Sequence, residues 1–187
     1  MGVGWNFAEA KEAHILVTGY SNVAVDNIFL GLRAMGVAAL RVRSAGGALV
    51  GTNELAAVPG TIQYELSRHQ KTHLAASLRS QRKTDQARKY EREAAREIIT
   101  AAEVVCATCV TAGGDLLASC HFSHVLVDEA TQSTESATLI PIVRGCHTLV
   151  LIGDQQQVKS IQRAHSLLGL ATLIERCSDV RCRRPRR

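Results

Sequence analysis

Aromatic side chains are scarce in this chain. Three Phe, three Tyr and one Trp make up 4% of 187 residues, which leaves little for a platform on which successive nucleic-acid bases could stack. No apolar run approaches the roughly 20 residues needed to span a bilayer. The start, Met1-Gly2-Val3-Gly4-Trp5-Asn6, lacks the basic beginning and apolar middle of a secretory signal. Asn6 stands where a myristoylation signal needs Ser or Thr. The expected compartment is cytoplasmic, with the nucleus as the other option. Zinc-type spacing is missing too. Cys106-x-x-Cys109 is followed by no second Cys-x-x-Cys and no His-x-x-x-His, so these thiols read as small core residues rather than metal or redox ligands.

What is present is an ordinary globular composition, 46% hydrophobic and 21% charged. The six cysteines suit a reducing compartment. The net charge of +5 is unevenly placed. Arg68 to Glu97 holds nine Lys/Arg against four Asp/Glu, Arg181 to Arg187 holds five Arg and no acid, and the remainder is net −5. Such basic segments can bind polyanions by counterion release, although a charge run is usually a solvated face.

His14-Ile15-Leu16-Val17-Thr18 reads as a strand ending at Gly19. Ser21 or Asn22 caps a helix over Val23 to Met35, with Val25, Ile28, Phe29 and Leu32 on one face and Gly36 as its stop. Val37 to Val42 is a second strand, followed by a Gly-rich loop over Ser44 to Gly51. Strand, helix and strand in about 30 residues make a βαβ unit, so a parallel sheet is expected.

Pro59-Gly60 marks a break, and Gln63 to Ala102 is helical in propensity and poor in large apolar residues. It reads as a helical arm or hairpin with a break at Thr84-Asp85. Arg88, Arg92 and Arg96 repeat every fourth residue and form a ridge, which either a polyanion or solvent would satisfy. Solvent is the favoured reading.

Glu103 to Thr108 is a third strand, and a short helical stretch is expected around Asp115 to Ser119. His124-Val125-Leu126-Val127-Asp128 is a fourth strand, a helix follows over Ser133 to Leu139, and Thr148 to Ile152 is a fifth strand. A last helix is expected over 161–176. The strands are near-continuous apolar runs, as expected when helices cover both faces of the sheet. No internal repeat is visible.

Three strand ends carry polar groups. Thr18 to Asn22 follows the first strand, Asp128-Glu129-Ala130-Thr131-Gln132 ends the fourth, and Gly153-Asp154-Gln155-Gln156-Gln157 follows the fifth. In a parallel sheet these ends share one edge, where open α/β sheets place ligands. The first carboxylate of a strand-terminal Asp-Glu pair can hold Mg²⁺, and the second can take a proton from water attacking a phosphate. A bare Asp-Glu pair is also what a solvated acidic turn looks like; the convergence of all three ends argues for the NTP-hydrolysis reading.

Ser21-Asn22-Val23-Ala24-Val25-Asp26, Cys106-Ala107-Thr108-Cys109-Val110-Thr111-Ala112-Gly113, Asp128-Glu129-Ala130-Thr131-Gln132 and Gly153-Asp154-Gln155-Gln156-Gln157 occur in this order. They resemble successive motifs of superfamily 1 helicases, most of all the up-frameshift branch, the RNA helicases of nonsense-mediated decay and their relatives. Gly169-Leu170 with Ile174-Glu175-Arg176 is similar to the segment that follows in that family, so the resemblance covers about residues 14–177. It implies an α/β fold, a truncated RecA-like (P-loop NTPase type) parallel sheet flanked by helices, with a helical insertion. The implied division is a motor domain at 14–62 and 103–176 with the insertion at 63–102; outside it, residues 1–13 read as a lead-in and 177–187, unlike the family, as a disordered basic tail.

The resemblance also implies roles. Asp128 would hold Mg²⁺ through water, Glu129 would activate the attacking water, and Gln157 would contact the γ-phosphate of ATP, with Gln132 and Asp154 in support. Ser21, Asn22 and Thr108 would contact the backbone of single-stranded RNA or DNA. The family's phosphate loop, GxxGxGK[S/T], occurs nowhere in these residues, and Ser160 stands where the family usually has Pro. The second RecA-like domain, with its arginine finger, is not among them. In that family the strand leading into the phosphate loop lies beside the strand matching 148–152, so 148–152 is expected at an edge. The function expected is part of an ATP-dependent helicase, inactive on its own. The alternatives are a non-catalytic protein that binds single strands or a helicase partner, and a regulatory NTP-binding domain of another lineage.

Overall fold

The computed structural model describes residues 15–43, 58–143 and 145–153. The lead-in, the loop at 44–51, the helix expected at 161–176 and the basic tail lie outside the described residues, as do Asp154 and Gln157.

The first strand, β1, is Ile15–Gly19. Its burial is nearly complete because it lies at the centre of the sheet, between two parallel neighbours. Helix α1, Asn22–Ala34, starts where Ser21 turns its Oγ back to accept the Ala24 N–H at 3.1 Å. Val25 and Phe29, four residues apart, are its buried face. The helix ends before Gly36, whose φ of +81° is the left-handed conformation that closes helices and that glycine adopts without strain. Strand β2, Ala39–Arg41, is shorter than expected.

The insertion is three helices, with the expected break just before Thr84 and a second one at His69. They are α2, Ile62–Arg68; α3, Gln70–Ser80; and α4, Thr84–Ala101. The break before Thr84 falls at Gln81 to Lys83, where Arg82 takes a φ of 61°. Ion pairs stitch the helices together, Arg79 to Glu91 at 2.9 Å and Lys71 to Glu93 at 3.2 Å, and His69 Nε2 lies 3.3 Å from Glu97 Oε2. The insertion is not wholly a projecting arm. Ala94, Ala95 and Ile99 of α4 are buried in the same core as the sheet residues Leu16, Val105 and Val125. Arg88, Arg92 and Arg96 are exposed and make no ion pair with the described residues, which fits a solvated ridge and a polyanion-binding one alike.

Strand β3, Val104–Thr108, is buried along its whole length. The short helix α5 comes earlier than expected, at Cys109–Ala112, because Thr108 caps it; residues 115–119 are turns. Strand β4 is His124–Asp128, α6 is Glu135–Ile142 with Thr134 as its cap, and β5 is Thr148–Leu151. All pairings are parallel, in the order β2-β3-β1-β4-β5. The described residues therefore form a RecA-like α/β sheet flanked by helices, with β5 at one edge.

Two cores lie on opposite faces. Alternate strand residues Leu16, Val105, Val125 and Leu149 meet the helices of the insertion side, and Val17, Val104 and Cys106 meet Val25 and Phe29 of α1. Helical cover on both faces, expected for every strand, holds for β1, β2 and β3. Among the described residues it does not extend to β4 and β5, whose burial alternates, with Leu126 and Val150 half-exposed on the α1 side. Among the described residues α1 is the helix on that face, and it packs over β3, β2 and β1. No helix of the described residues is long and apolar enough to cross a membrane.

Candidate functional site

Register builds the site. Gly19 lies opposite Thr108 on one side and Asp128 on the other, so β3, β1 and β4 end level with one another. Ser21 and Asn22 follow Gly19 directly, and Ile152-Gly153 follows β5 at the same edge. The carboxyl ends of four parallel strands thus bring Ser21, Asn22, Thr108, Asp128, Glu129, Gln132 and Gly153 to one edge.

Asp128 and Glu129 are both half-buried. Among the described residues neither pairs with a Lys, Arg or His. Glu129 has a φ of 52°, a conformation that costs a residue with a side chain roughly 1–2 kcal/mol and that gathers at functional sites. The loop is held in that shape from both ends. Gln132 N–H donates to Glu129 O at 2.9 Å, and Ala130 N–H reaches across to Ile152 O at 2.9 Å. Nothing in the Asp-Glu sequence advertises this turn. The reversal shows only once β5 is placed beside it.

Gly153 fits against that loop because it has no Cβ. A Cβ there would lie 2.9 Å from Thr131 Cγ2 and 3.0 Å from both Thr131 N and Oγ1. One of these atoms is backbone, so the loop itself would have to move. Gly153→Ala is expected to destabilise the fold by about 1–3 kcal/mol through overpacking. Urea unfolding checks it, and an unchanged midpoint would mean that the loop does not rest on Gly153.

Thr108 and Ser21 occupy matching positions as helix N-caps. Thr108 Oγ1 accepts the Thr111 N–H at 3.2 Å and shares a hydrogen bond with Thr111 Oγ1 at 2.7 Å, and Thr108 is only 8% exposed. Asn22, by contrast, is exposed. Its Oδ1 accepts from Arg41 Nη2 at 3.0 Å. Arg41 is fully buried, and its Nε donates to Asp26 Oδ1 at 2.6 Å. Burial pulls the Arg41 pKa below its ordinary value, and Asp26 opposes that shift. Sequence reasoning missed Arg41. The available signal was a lone cation inside the apolar run Ala38 to Val42, which a buried strand does not tolerate without a partner.

The thiols behave as core groups. Cys106 and Cys109 are buried and unbridged. Burial pushes the Cys106 thiol up to about 12. It raises Cys109 as well, against the opposing pull of the Thr18 and Ser133 hydroxyls. Both stay protonated near neutral pH, the form that is inert to metals and electrophiles. Among the described residues no three His, Cys, Asp or Glu side chains group closely enough to hold a metal by themselves.

Comparison with known proteins matches this arrangement. A family described as an AAA domain covers residues 52–162. The chain is 32% identical over 161 residues to the regulator of nonsense transcripts 1 homolog of Neurospora crassa, covering 82% of this chain and 15% of that protein. It is 33% identical over 170 residues to the homolog of the same name from Arabidopsis thaliana, covering 82% of this chain and 13% of that protein. To the ATP-dependent helicase NAM7 of Saccharomyces cerevisiae it is 35% identical over 159 residues, covering 82% and 16%. The chain thus spans 13–16% of the length of these relatives. With motifs in family order on a RecA-like sheet, the chain belongs to the up-frameshift-type superfamily 1 helicases, as a part of the first RecA-like motor domain.

Proposed function

We propose that this chain supplies the water-activating and strand-contacting half of an ATP-dependent helicase motor, which couples ATP hydrolysis to movement on single-stranded RNA or DNA. The observation that carries the reading is the register that sets Thr108, Gly19 and Asp128 abreast at one sheet edge, with Ser21 and Asn22 next to them. In this reading Asp128 and Glu129 face the nucleotide from β4, and Ser21, Asn22 and Thr108 lie along the path of the strand. Gln132, Asp154 and Gln157 complete the γ-phosphate side.

Mg²⁺ fits the donor set. It keeps most of its waters and is held by one or two carboxylates together with substrate phosphates rather than by an all-protein cage. One unpaired Asp and the absence of a three-ligand cluster among the described residues match that habit. Asp128 would hold the ion through water, and the ion would supply charge neutralisation at the β- and γ-phosphates when bound. Glu129, on the turn beside it, accepts the proton of the attacking water. The partner expected in the full protein is a second RecA-like domain. Two of the relatives are named as regulators of nonsense transcripts, which supports a role for this motor in nonsense-mediated decay.

Contact with a nucleic-acid strand is expected to be weak and salt-sensitive, since seven aromatic residues leave little for base stacking and the contacts should fall mostly on phosphate. Titrating a single-stranded oligonucleotide at 50 and 200 mM salt, by fluorescence anisotropy, tests it. Affinity falling several-fold between the two supports phosphate contact. Affinity that ignores salt contradicts it.

A further inference from the structure

Arg41 is an expensive residue for its place. It is 0% exposed, near the sheet edge, beneath the first turn of α1. A buried ion pair is weak ground for stability, because well-packed apolar residues often do as well or better. What the guanidinium does there is directional. Nε donates to Asp26 Oδ1 at 2.6 Å, Nη1 donates to Val42 O at 2.6 Å and to Cys106 O at 3.4 Å, and Nη2 donates to Asn22 Oδ1 at 3.0 Å. Arg43 adds a longer contact, 3.9 Å, to the other Asp26 oxygen. The planar fork is thus fixed at its base by two strand carbonyls and along its side by a carboxylate.

The consequence falls on Asn22. A guanidinium has only donors, so it can face only the oxygen of an amide. That choice sets the amide orientation and leaves both Nδ2 hydrogens on the side away from Arg41, on an exposed side chain. Asn22 therefore presents donors alone at the sheet edge, which suits a ligand that presents acceptors alone, such as the oxygens of a phosphodiester backbone. We propose that Arg41 is a positioning residue for strand binding, holding Asn22 so that its amide donors face a backbone phosphate of single-stranded nucleic acid. The proposal rests on the strand-binding reading above and names a residue through which it works. A lysine could not replace Arg41, because a point donor cannot hold Asp26 and Asn22 together.

The test is a double-mutant cycle on the full 187-residue chain, read by anisotropy with a single-stranded 12-nucleotide oligo(U) at 50 mM salt. Arg41→Lys and Asn22→Ala are each expected to weaken binding about tenfold, the scale of one lost charge-assisted contact. The double variant should be no weaker than Asn22→Ala alone, because Arg41 acts through Asn22. Additive losses, about a hundredfold in the double variant, would overturn the proposal and leave Arg41 a general structural residue. Should Arg41→Lys fail to fold by circular dichroism, Asn22→Asp decides. It keeps an oxygen for Arg41 but shows the phosphate an acceptor, so it should bind more weakly than Asn22→Ala, and binding equal to the unaltered chain would overturn the proposal. A side-chain amide resonance of Asn22 unmoved by saturating oligo(U) would remove the strand reading and this proposal with it. A shifted resonance, with full affinity retained by Arg41→Lys, would remove this proposal alone.

Discussion

A Glu129→Gln exchange is expected to abolish ATP turnover, by about 10²–10⁴-fold, in a protein that joins this chain to a phosphate loop and a second motor domain, the usual range for a lost general base. Nucleotide binding should stay nearly intact, because the amide keeps the shape and loses only the capacity to take a proton. Asp128→Ala should act differently and weaken binding of the Mg²⁺–nucleotide complex. The distinction follows from their places. Asp128 is the last residue of β4, level with Gly19, whereas Glu129 is turned out of the strand by its φ of 52°. Adjacent residues of one extended strand would point to opposite faces; the left-handed turn breaks that alternation, as two carboxylates serving one site would require. The 187-residue chain by itself should release no phosphate above its own Glu129→Gln control. It contains no Lys-bearing glycine loop to cradle the β- and γ-phosphates, and a missing arginine finger alone is worth about 10³–10⁵. Steady-state phosphate release measures both. Near-normal turnover by the Glu129→Gln protein would show the base to be another residue, and a clear Glu129-dependent rate from the chain alone would show that the site is complete without the loop.

How much of this was legible in the sequence depended on whether the cause was local. Strand β4 falls at His124–Asp128 as its apolar run dictates, and α1 begins where Ser21 offers a cap. Both signals lie within a few residues. The turn between α3 and α4 falls directly before the expected Thr84-Asp85, with Arg82 as its left-handed residue, whereas the break between α2 and α3 at His69 has no Gly or Pro to signal it. Helix α5 is four residues long, too short for any periodicity to show. The half-exposed face of β4 and β5 was unreadable for a different reason. An apolar run records that a strand can be buried on both sides, not that a neighbour is present. Within the site, Asp128, Glu129, Ser21, Asn22 and Thr108 were identified by motif, and the sheet brings them to one edge. Arg41 escaped because its meaning lies in Asn22 and Asp26, 19 and 15 residues away. The contacts of Asp154 and Gln157 lie outside the described residues.

The edge of the sheet carries the last expected result: the isolated chain is marginally stable and self-associates through β5. Thr148 and Ile152 donate their N–H groups into β4, to Ser123 O and Val127 O, both at lengths of 2.8–2.9 Å. Amide direction alternates along a strand, so the N–H groups of Leu149 and Leu151 point the other way, to the side where no described strand pairs with β5. The segment Thr148-Leu149-Val150-Leu151-Ile152 has no charge and no Pro, Ile152 is 46% exposed, and such an edge is a template for another chain. The family resemblance puts the phosphate-loop strand there, and the acidic Glu9 and Glu12 with Gly2 and Gly4 make residues 1–13 a poor substitute. Light scattering should show mass rising with concentration. Val150→Lys, which places a charge on the half-exposed face of this edge, should suppress the rise, since edge lysines block strand addition. Hydrogen exchange reads the same event by residue. At low concentration the amides of Leu149 and Leu151 should exchange faster than those of Thr148 and Ile152, and the difference should close on association. A monomer at all concentrations with Leu149 and Leu151 protected would mean that another segment already pairs with this edge, and the association argument would fail there.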